Sequence, residues 1–340
     1  VFNFLFLETE LGQKGHSKIS KKMDKRDRPC SFIRLLEVKN NILQRFGENK
    51  KQGVSQISKK MDKKECPFCP REERRKKKVQ VISSKDNEIV KNIRKLKEKK
   101  YRDLENCFII EGIKLIKEAI EEEAKIKQIV VCEECINKGE FEKDLLYEIA
   151  KHDVIYVTEK EFNLLTDVKT PQGILAVVEK NNVNNEIDYS EDIIVVLDGV
   201  QDPGNLGTIL RTADSANLKQ IILSNDSADP YNPKVVRSTM GAIFRVNIIE
   251  VDNLKEKLEE VQENNFKVMV TSLEAKKTIY EADFNKCAIV IGNEANGVSK
   301  EIQNMANEKV IIPMLGKTES LNASVAASIM IYEYVRRKMG

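Results

Sequence analysis

The chain has 340 residues, 41% of them hydrophobic and 33% charged, with a formal net charge of +3. That length holds two ordinary domains plus an extension, and no run nears the roughly 20 consecutive apolar residues a membrane helix needs. Seven cysteines, an odd number in so long a chain, argue against a secreted disulfide framework and for reduced thiols in a cytoplasm.

Residues 1–78 form a first, basic part. The opening Val1 to Leu7 is apolar, but no basic stretch precedes it and no small-residue cleavage site follows, so it reads as neither signal peptide nor anchor. The part holds 22 of the 57 Lys and Arg but only 10 of the 54 Asp and Glu, which leaves the remainder net acidic. A basic arm of this kind grips nucleic acid through phosphates; a solvated tail has the same composition. The stretch Lys18-Ile19-Ser20-Lys21-Lys22-Met23-Asp24-Lys25 nearly recurs as Gln56-Ile57-Ser58-Lys59-Lys60-Met61-Asp62-Lys63. Two polar copies are too few for a solenoid. Apolar residues at helical spacing occur only from Phe32 to Phe46. The part is expected to have low order, and a chain starting at Val79 is expected to fold without it. A natural start near Val79 is one reading of that change in character.

From about Val79 helices and strands alternate. Ser84 or Asp86 is placed to cap a basic helix from Asn87 to Lys100, with Ile89, Ile93 and Leu96 on one face. Short apolar runs follow at 107–110, 129–131, 154–157 and 174–178, with helical stretches between the first three pairs. Together they predict a small α/β domain over 79–180. The polar run Asn181 to Glu186 reads as a linker.

The last domain, 190–340, alternates more strongly. Apolar strands are predicted at 193–197, 220–223, 246–249, 267–270, 288–291 and 310–312, with a closing helix from Leu321 to Arg337. Strands apolar on both faces, separated by helices, imply a mostly parallel sheet covered on both sides.

Three segments follow strand ends here, where open α/β sheets collect ligands. The first runs from Asp198 through a Gly/Pro/Asn turn into a helix, with Asn205 where an N-cap would sit and Arg211 about two turns in. Taken alone, it also describes a capped helix with a surface arginine. The second, Gly292-Asn293-Glu294-Ala295-Asn296-Gly297, has two glycines that permit close backbone approach to a ligand, or simply a turn. In the third, Ile311 to Ala327, Ser320, Asn322 and Ser324 open a small-residue helix. Its N-terminus can hold an anionic group, or be merely capped.

Competing chemistries find no residues. The two histidines, His16 and His152, lie outside the last domain, which excludes a Ser-His-Asp or Cys-His mechanism there. Neither a G-x-x-x-x-G-K-[ST] loop nor a G-x-G-x-x-G after a strand occurs. The pairs Cys66/Cys69 and Cys132/Cys135 stand far apart in segments of different character, so no metal site is assigned.

Each segment is weak alone. In order, D-G-x-x-D-P-x-N-L-G-x-x-x-R-T-A-D from Asp198, I-G-N-E-x-x-G from Ile291 and I-P-M-x-G-x-x-x-S-L-N-x-S-V-A from Ile312, they resemble the SpoU/TrmH RNA methyltransferases. Ser238-Thr239-Met240-Gly241-Ala242 is similar to a family segment near the active site. Residues 83–178 resemble the L30e-like RNA-binding domain that often precedes the catalytic one. Nothing in 1–78 matches. The resemblance implies S-adenosylmethionine as cofactor, a C-terminal trefoil knot forming its pocket, and a homodimer whose sites are completed across the interface. The product is expected to be a ribose 2′-O-methyl group on RNA. The front domain tilts the target toward 23S ribosomal RNA over transfer RNA, with a non-catalytic RNA-binding or ribosome-assembly protein as the alternative. The presence of both Asn205 and Arg211 favours the enzyme.

The family pattern also distributes roles. Arg211 handles the ribose hydroxyl, either as a base with strong help or by lowering the hydroxyl pKa electrostatically, since an arginine is nearly always protonated. Asn205 positions it or the ribose. Glu294 and Asn322 shape the site, with Ser320 beside them. Gly292, Ile312 and Leu321 offer backbone groups to the cofactor.

Overall fold

A computed structural model of the chain describes residues 81–137, 141–180 and 186–340. The basic extension with its near-repeat, and most of the 181–186 linker, lie outside the described residues.

The described residues belong to one compact unit, Val79–Gly340, built on two sheets. The smaller sheet uses β1 (Val81–Ile82), β2 (Cys107–Glu111), β3 (Ile126–Cys132), β4 (Val154–Val157) and β5 (Ile174–Glu179) in the order β1-β4-β3-β5-β2. The pairings of β4 with β1 and β3 are parallel, and those of β5 with β2 and β3 antiparallel. Its helices are α1 (Glu88–Lys95), α2 (Lys99–Glu105), α3 (Ile113–Glu121), α4 (Glu133–Asn137), α5 (Lys143–Ile149) and α6 (Glu159–Leu165).

The single helix expected over 87–100 is in fact two. The cap is Asn87, whose side chain accepts from the Ile89 amide at 2.9 Å, rather than Ser84 or Asp86. Val90, Ile93 and Leu96 are buried while Ile89 is exposed, so the apolar face is turned by one residue from the one expected. Arg102 in α2 donates to the carbonyls of Leu96 and Lys97, at 2.8 and 2.7 Å. Those bonds satisfy carbonyls that α1 leaves open where it stops.

The larger sheet has seven strands, all parallel: β6 (Ile193–Asp198), β7 (Gln220–Ser224), β8 (Asn247–Val251), β9 (Lys267–Thr271), β10 (Lys277–Thr278), β11 (Cys287–Gly292) and β12 (Glu308–Ile311), in the order β10-β12-β9-β11-β6-β7-β8. Side chains alternate between two cores, as the strand period of two requires. Ile193, Val195, Leu197, Ile289 and Ile291 meet α7 (Pro203–Ser215) and the long C-terminal helix. Ile194, Val196, Ala288 and Val290 face the other layer, where Leu254, Leu258, Val261 and Ile302 pack. This two-sided burial is why the strands read as unbroken apolar runs. The remaining helices are α8 (Pro233–Thr239), α9 (Leu254–Glu263), α10 (Lys300–Met305) and α11 (Ala323–Met339), with a 3-10 turn at Ala242–Phe244. The two-residue strands β1 and β10 were not expected from the sequence.

The two sheets meet at a seam dense in charge. Arg102, almost fully buried, pairs with Asp229 of the larger part. Phe108 stacks obliquely on Tyr231 with ring centroids 5.0 Å apart. The Lys180 ammonium lies 4.8 Å from the Tyr231 ring and pairs with Asp103 at 2.5 Å. Arg245 joins α3 to α7 through three carboxylates.

Candidate active site

The register of β11 on β6 runs unbroken from Cys287↔Ile193 to Gly292↔Asp198, so the two strands end side by side. The loops that follow are clasped together there. Asn293 donates from Nδ2 to the Gly199 carbonyl at 2.8 Å, and the Ser299 amide donates to Asp198 at 2.7 Å. Asn293 and Gly297 exchange two backbone bonds, at 3.0 and 2.9 Å, closing a turn in which Gly297 has φ +68. A side chain at Gly292 would run into the backbone of Gly297 and Val298. Glycine is therefore required at 292 because this turn folds back over it. Of the two constraints the sequence offered, a ligand or a turn, the structure shows the turn.

The cap of α7 is Asp202, which accepts from the Asn205 amide at 2.9 Å, with Pro203 at the first helical position. Asn205 is thus not the N-cap but stands in the first turn, buried. That frees its side-chain amide for two longer-range bonds. Nδ2 donates to Glu294 Oε1 at 2.8 Å, and Oδ1 accepts from Asn322 Nδ2 at 2.9 Å. Asn322 caps α11 with its own oxygen, taking the Ser324 and Val325 amides at 2.9 and 3.4 Å. One hydrogen-bonded chain, Asn322–Asn205–Glu294, therefore ties the three sequence segments together.

Glu294 also accepts from the amides of Gln201 and Asp202, both at 3.2 Å. Burial opposes its ionisation, but the Asn205 bond and these backbone amides outweigh that and hold its carboxyl below the usual range. An ionised carboxylate bonded in this way is an anchor, not a proton carrier.

The third segment is built differently. From Pro313 to Leu321 no backbone group bonds to other backbone among the described residues. A side chain at Gly316 or Gly297 would meet nothing within 4 Å. Ile312 rests against the core, Leu321 is half-buried and Ser320 exposed. Since β12 lies three places from β6 in the sheet, the segment must run back along the carboxyl edge to bring Asn322 to Asn205. Open amides and carbonyls on a loop beside a strand end suit a polar ligand recognised through its edges, so these residues fit a nucleoside-containing cofactor.

Arg211 is not part of the amide chain. Its exposed guanidinium makes no hydrogen bond or ion pair among the described residues. With Thr208 and Ser215 it forms the exposed stripe of α7. Gly207, one turn earlier, lets α8 approach closely enough that a Cβ would overlap Ser238, which puts the Ser238–Ala242 segment beside α7. Asp202, Asn293, Asp214 and Arg245 were missed in the sequence. For Asp202 the signal was present, an Asp immediately before Pro.

Cys132 and Cys135 are buried, and burial pushes the Cys132 thiol up to about 12. Cys66 and Cys69 lie outside the described residues.

Residues 192–332 match the SpoU rRNA Methylase family, and 87–176 match the MRM3-like substrate binding domain. The 23S rRNA (guanosine(2553)-2′-O)-methyltransferase RlmP of Bacillus subtilis is 33% identical over 252 residues, 74% of this chain and 97% of that one. A 23S rRNA (guanosine-2′-O-)-methyltransferase RlmB of Bordetella pertussis is 36% identical over 176 residues, 50% of this chain and 72% of that one. The crystal structure of an AdoMet-bound rRNA methyltransferase from Sinorhizobium meliloti superposes with a TM-score of 0.68 at 32% identity, covering 77% of this chain and 99% of that one.

Proposed function

Because the chain belongs to the SpoU RNA methylase family and is an S-adenosylmethionine-dependent RNA ribose 2′-O-methyltransferase, we propose that it methylates 23S ribosomal RNA in the cytoplasm as a homodimer, with Arg211 at the reacting hydroxyl. The observation that carries the assignment of the site is the Asn322–Asn205–Glu294 chain, which gathers three distant segments at one strand edge.

When bound, the cofactor supplies an electrophilic methyl group on a sulfonium. The chain's residues then have two tasks, alignment and removal of the hydroxyl proton. Gly292, Ile312 and Leu321 border the open loop and offer backbone groups. Asn205 and Asn322 fix the edge, while Glu294 holds the first turn of α7 in place. The guanidinium of Arg211, which has no partner among the described residues, is available to an RNA phosphate and to the ribose oxygen as negative charge grows there. For the dimer, α11 exposes Val325 and Tyr332 along its length, and Leu315 in the loop that precedes it is fully exposed. No helix among the described residues is long and apolar enough to cross a membrane.

The test is methyl transfer from labelled cofactor to unmodified 23S ribosomal RNA and to bulk transfer RNA, with the product mapped to a nucleotide. Transfer to one ribose of 23S RNA is the expected result. Transfer to transfer RNA alone would overturn the target, and cofactor binding without transfer to any RNA would favour the non-catalytic reading. A monomer in sedimentation at micromolar concentration would overturn the dimer.

A further inference from the structure

Arg211 and Asp214 stand three residues apart on α7, where oppositely charged side chains ordinarily meet. They do not pair here. Both oxygens of Asp214 belong to Arg245: Nε lies 3.0 and 3.1 Å from them and Nη2 lies 2.9 Å from Oδ2. The remaining terminal nitrogen of Arg245 reaches across the seam to Glu118 at 2.6 Å and Glu122 at 3.2 Å, both from the α3 side of the smaller part. Gly241 makes room for this. It has φ +101, and a Cβ there would sit 2.7 Å from Glu118 Oε2. Bidentate binding fixes the plane of the Asp214 carboxylate as well as its charge.

The geometry points to Arg245 as a positioning residue for methyl transfer: by occupying Asp214 it keeps that carboxylate from neutralising Arg211. This rests on the proposed role of Arg211. An arginine already paired with its helix neighbour has fewer donors for a phosphate and a weaker field at the ribose.

The test uses the full chain, unmodified 23S ribosomal RNA at saturation, and turnover as the readout. Arg245→Gln is expected to lower kcat by about two- to fivefold, the strength of an ion pair at a half-exposed surface, with cofactor affinity unchanged. Adding Asp214→Asn to Arg245→Gln is expected to restore kcat, because the competing carboxylate is gone, while the KM for RNA stays raised by the loosened seam. A merely structural Arg245 would be rescued equally by Glu118→Gln, which relieves the same cluster of carboxylates without touching the neighbour of Arg211. Unchanged kcat in Arg245→Gln, or no recovery in the double variant, overturns the inference. Failure of the underlying role of Arg211 shows separately, as normal turnover in Arg211→Ala.

Discussion

The seam between the two sheets and the carboxyl edge of the larger one are both polar, but they satisfy polarity in opposite ways. At the seam charge meets charge. Arg102 on Asp229, Lys180 on Asp103 and Arg245 on three carboxylates leave little for a ligand to claim. At the edge amide meets amide, through Asn205, Asn293 and Asn322, and residues 313–321 make no backbone–backbone bond among the described residues. The first arrangement suits fixity, because breaking one partner strands a charge. The second suits recognition, since neutral amides hold loops in place without filling the site with a competing ion.

That contrast can be broken from either side. The largest effect is expected from Arg211→Ala, which should leave thermal stability and cofactor affinity nearly intact and lower methyl transfer by about 10²–10⁴-fold. Arg211→Lys should not restore it, because an ammonium lacks the planar fork of donors. Normal turnover in the alanine variant would remove the residue from catalysis. At the seam, Asp229→Ala strands the buried Arg102 and should cost about 3–5 kcal/mol of stability by denaturant titration. An unchanged midpoint would mean that the seam is not held by this pair.

Two milder changes sharpen the edge. Gly292→Val must displace the 293–297 turn, a crowding that costs about 1–3 kcal/mol, and calorimetry should show lost S-adenosylmethionine binding in a chain that still folds. Retained affinity would place the cofactor elsewhere. The smallest effect concerns Glu294. Its folded pKa is depressed, so its contribution is fully present above the unfolded value, about 4.3, and is lost as pH falls through the lower folded one. Cofactor affinity in the wild type should therefore be insensitive to this group from pH 6 to 8, with an acid limb that Glu294→Gln abolishes. An acid limb unchanged in that variant would assign it to another carboxylate.

The contrast also separates what was legible in the sequence from what was not. The parallel strands could be read because two-sided burial writes itself as apolar runs such as Ile193 to Leu197. The order of the three edge segments could be read because loops at strand ends keep unusual residues. Which residue capped α7 could not, since Asp202 and Asn205 are both good caps and only the fold shows that the second is engaged elsewhere. The break between α1 and α2 was hidden because Asp229, which holds Arg102 where it turns back on Leu96 and Lys97, lies 127 residues beyond it. The Arg245 cluster was hidden for the same reason. Ion pairs between distant parts leave no period and no motif.

The Asn322–Asn205–Glu294 chain has a direction. Each amide donates to the next oxygen, and the chain ends on a carboxylate that can only accept. Rotating any one amide would set like against like at both of its ends, so the three segments are correct together or misplaced together. Whatever stiffens 312–322 therefore stiffens the first turn of α7 as well. A cofactor seated on the open loop would hand the incoming RNA an already rigid helix, whereas RNA arriving first would meet a looser one. The consequence is a reciprocal coupling: each substrate should bind more tightly once the other is in place.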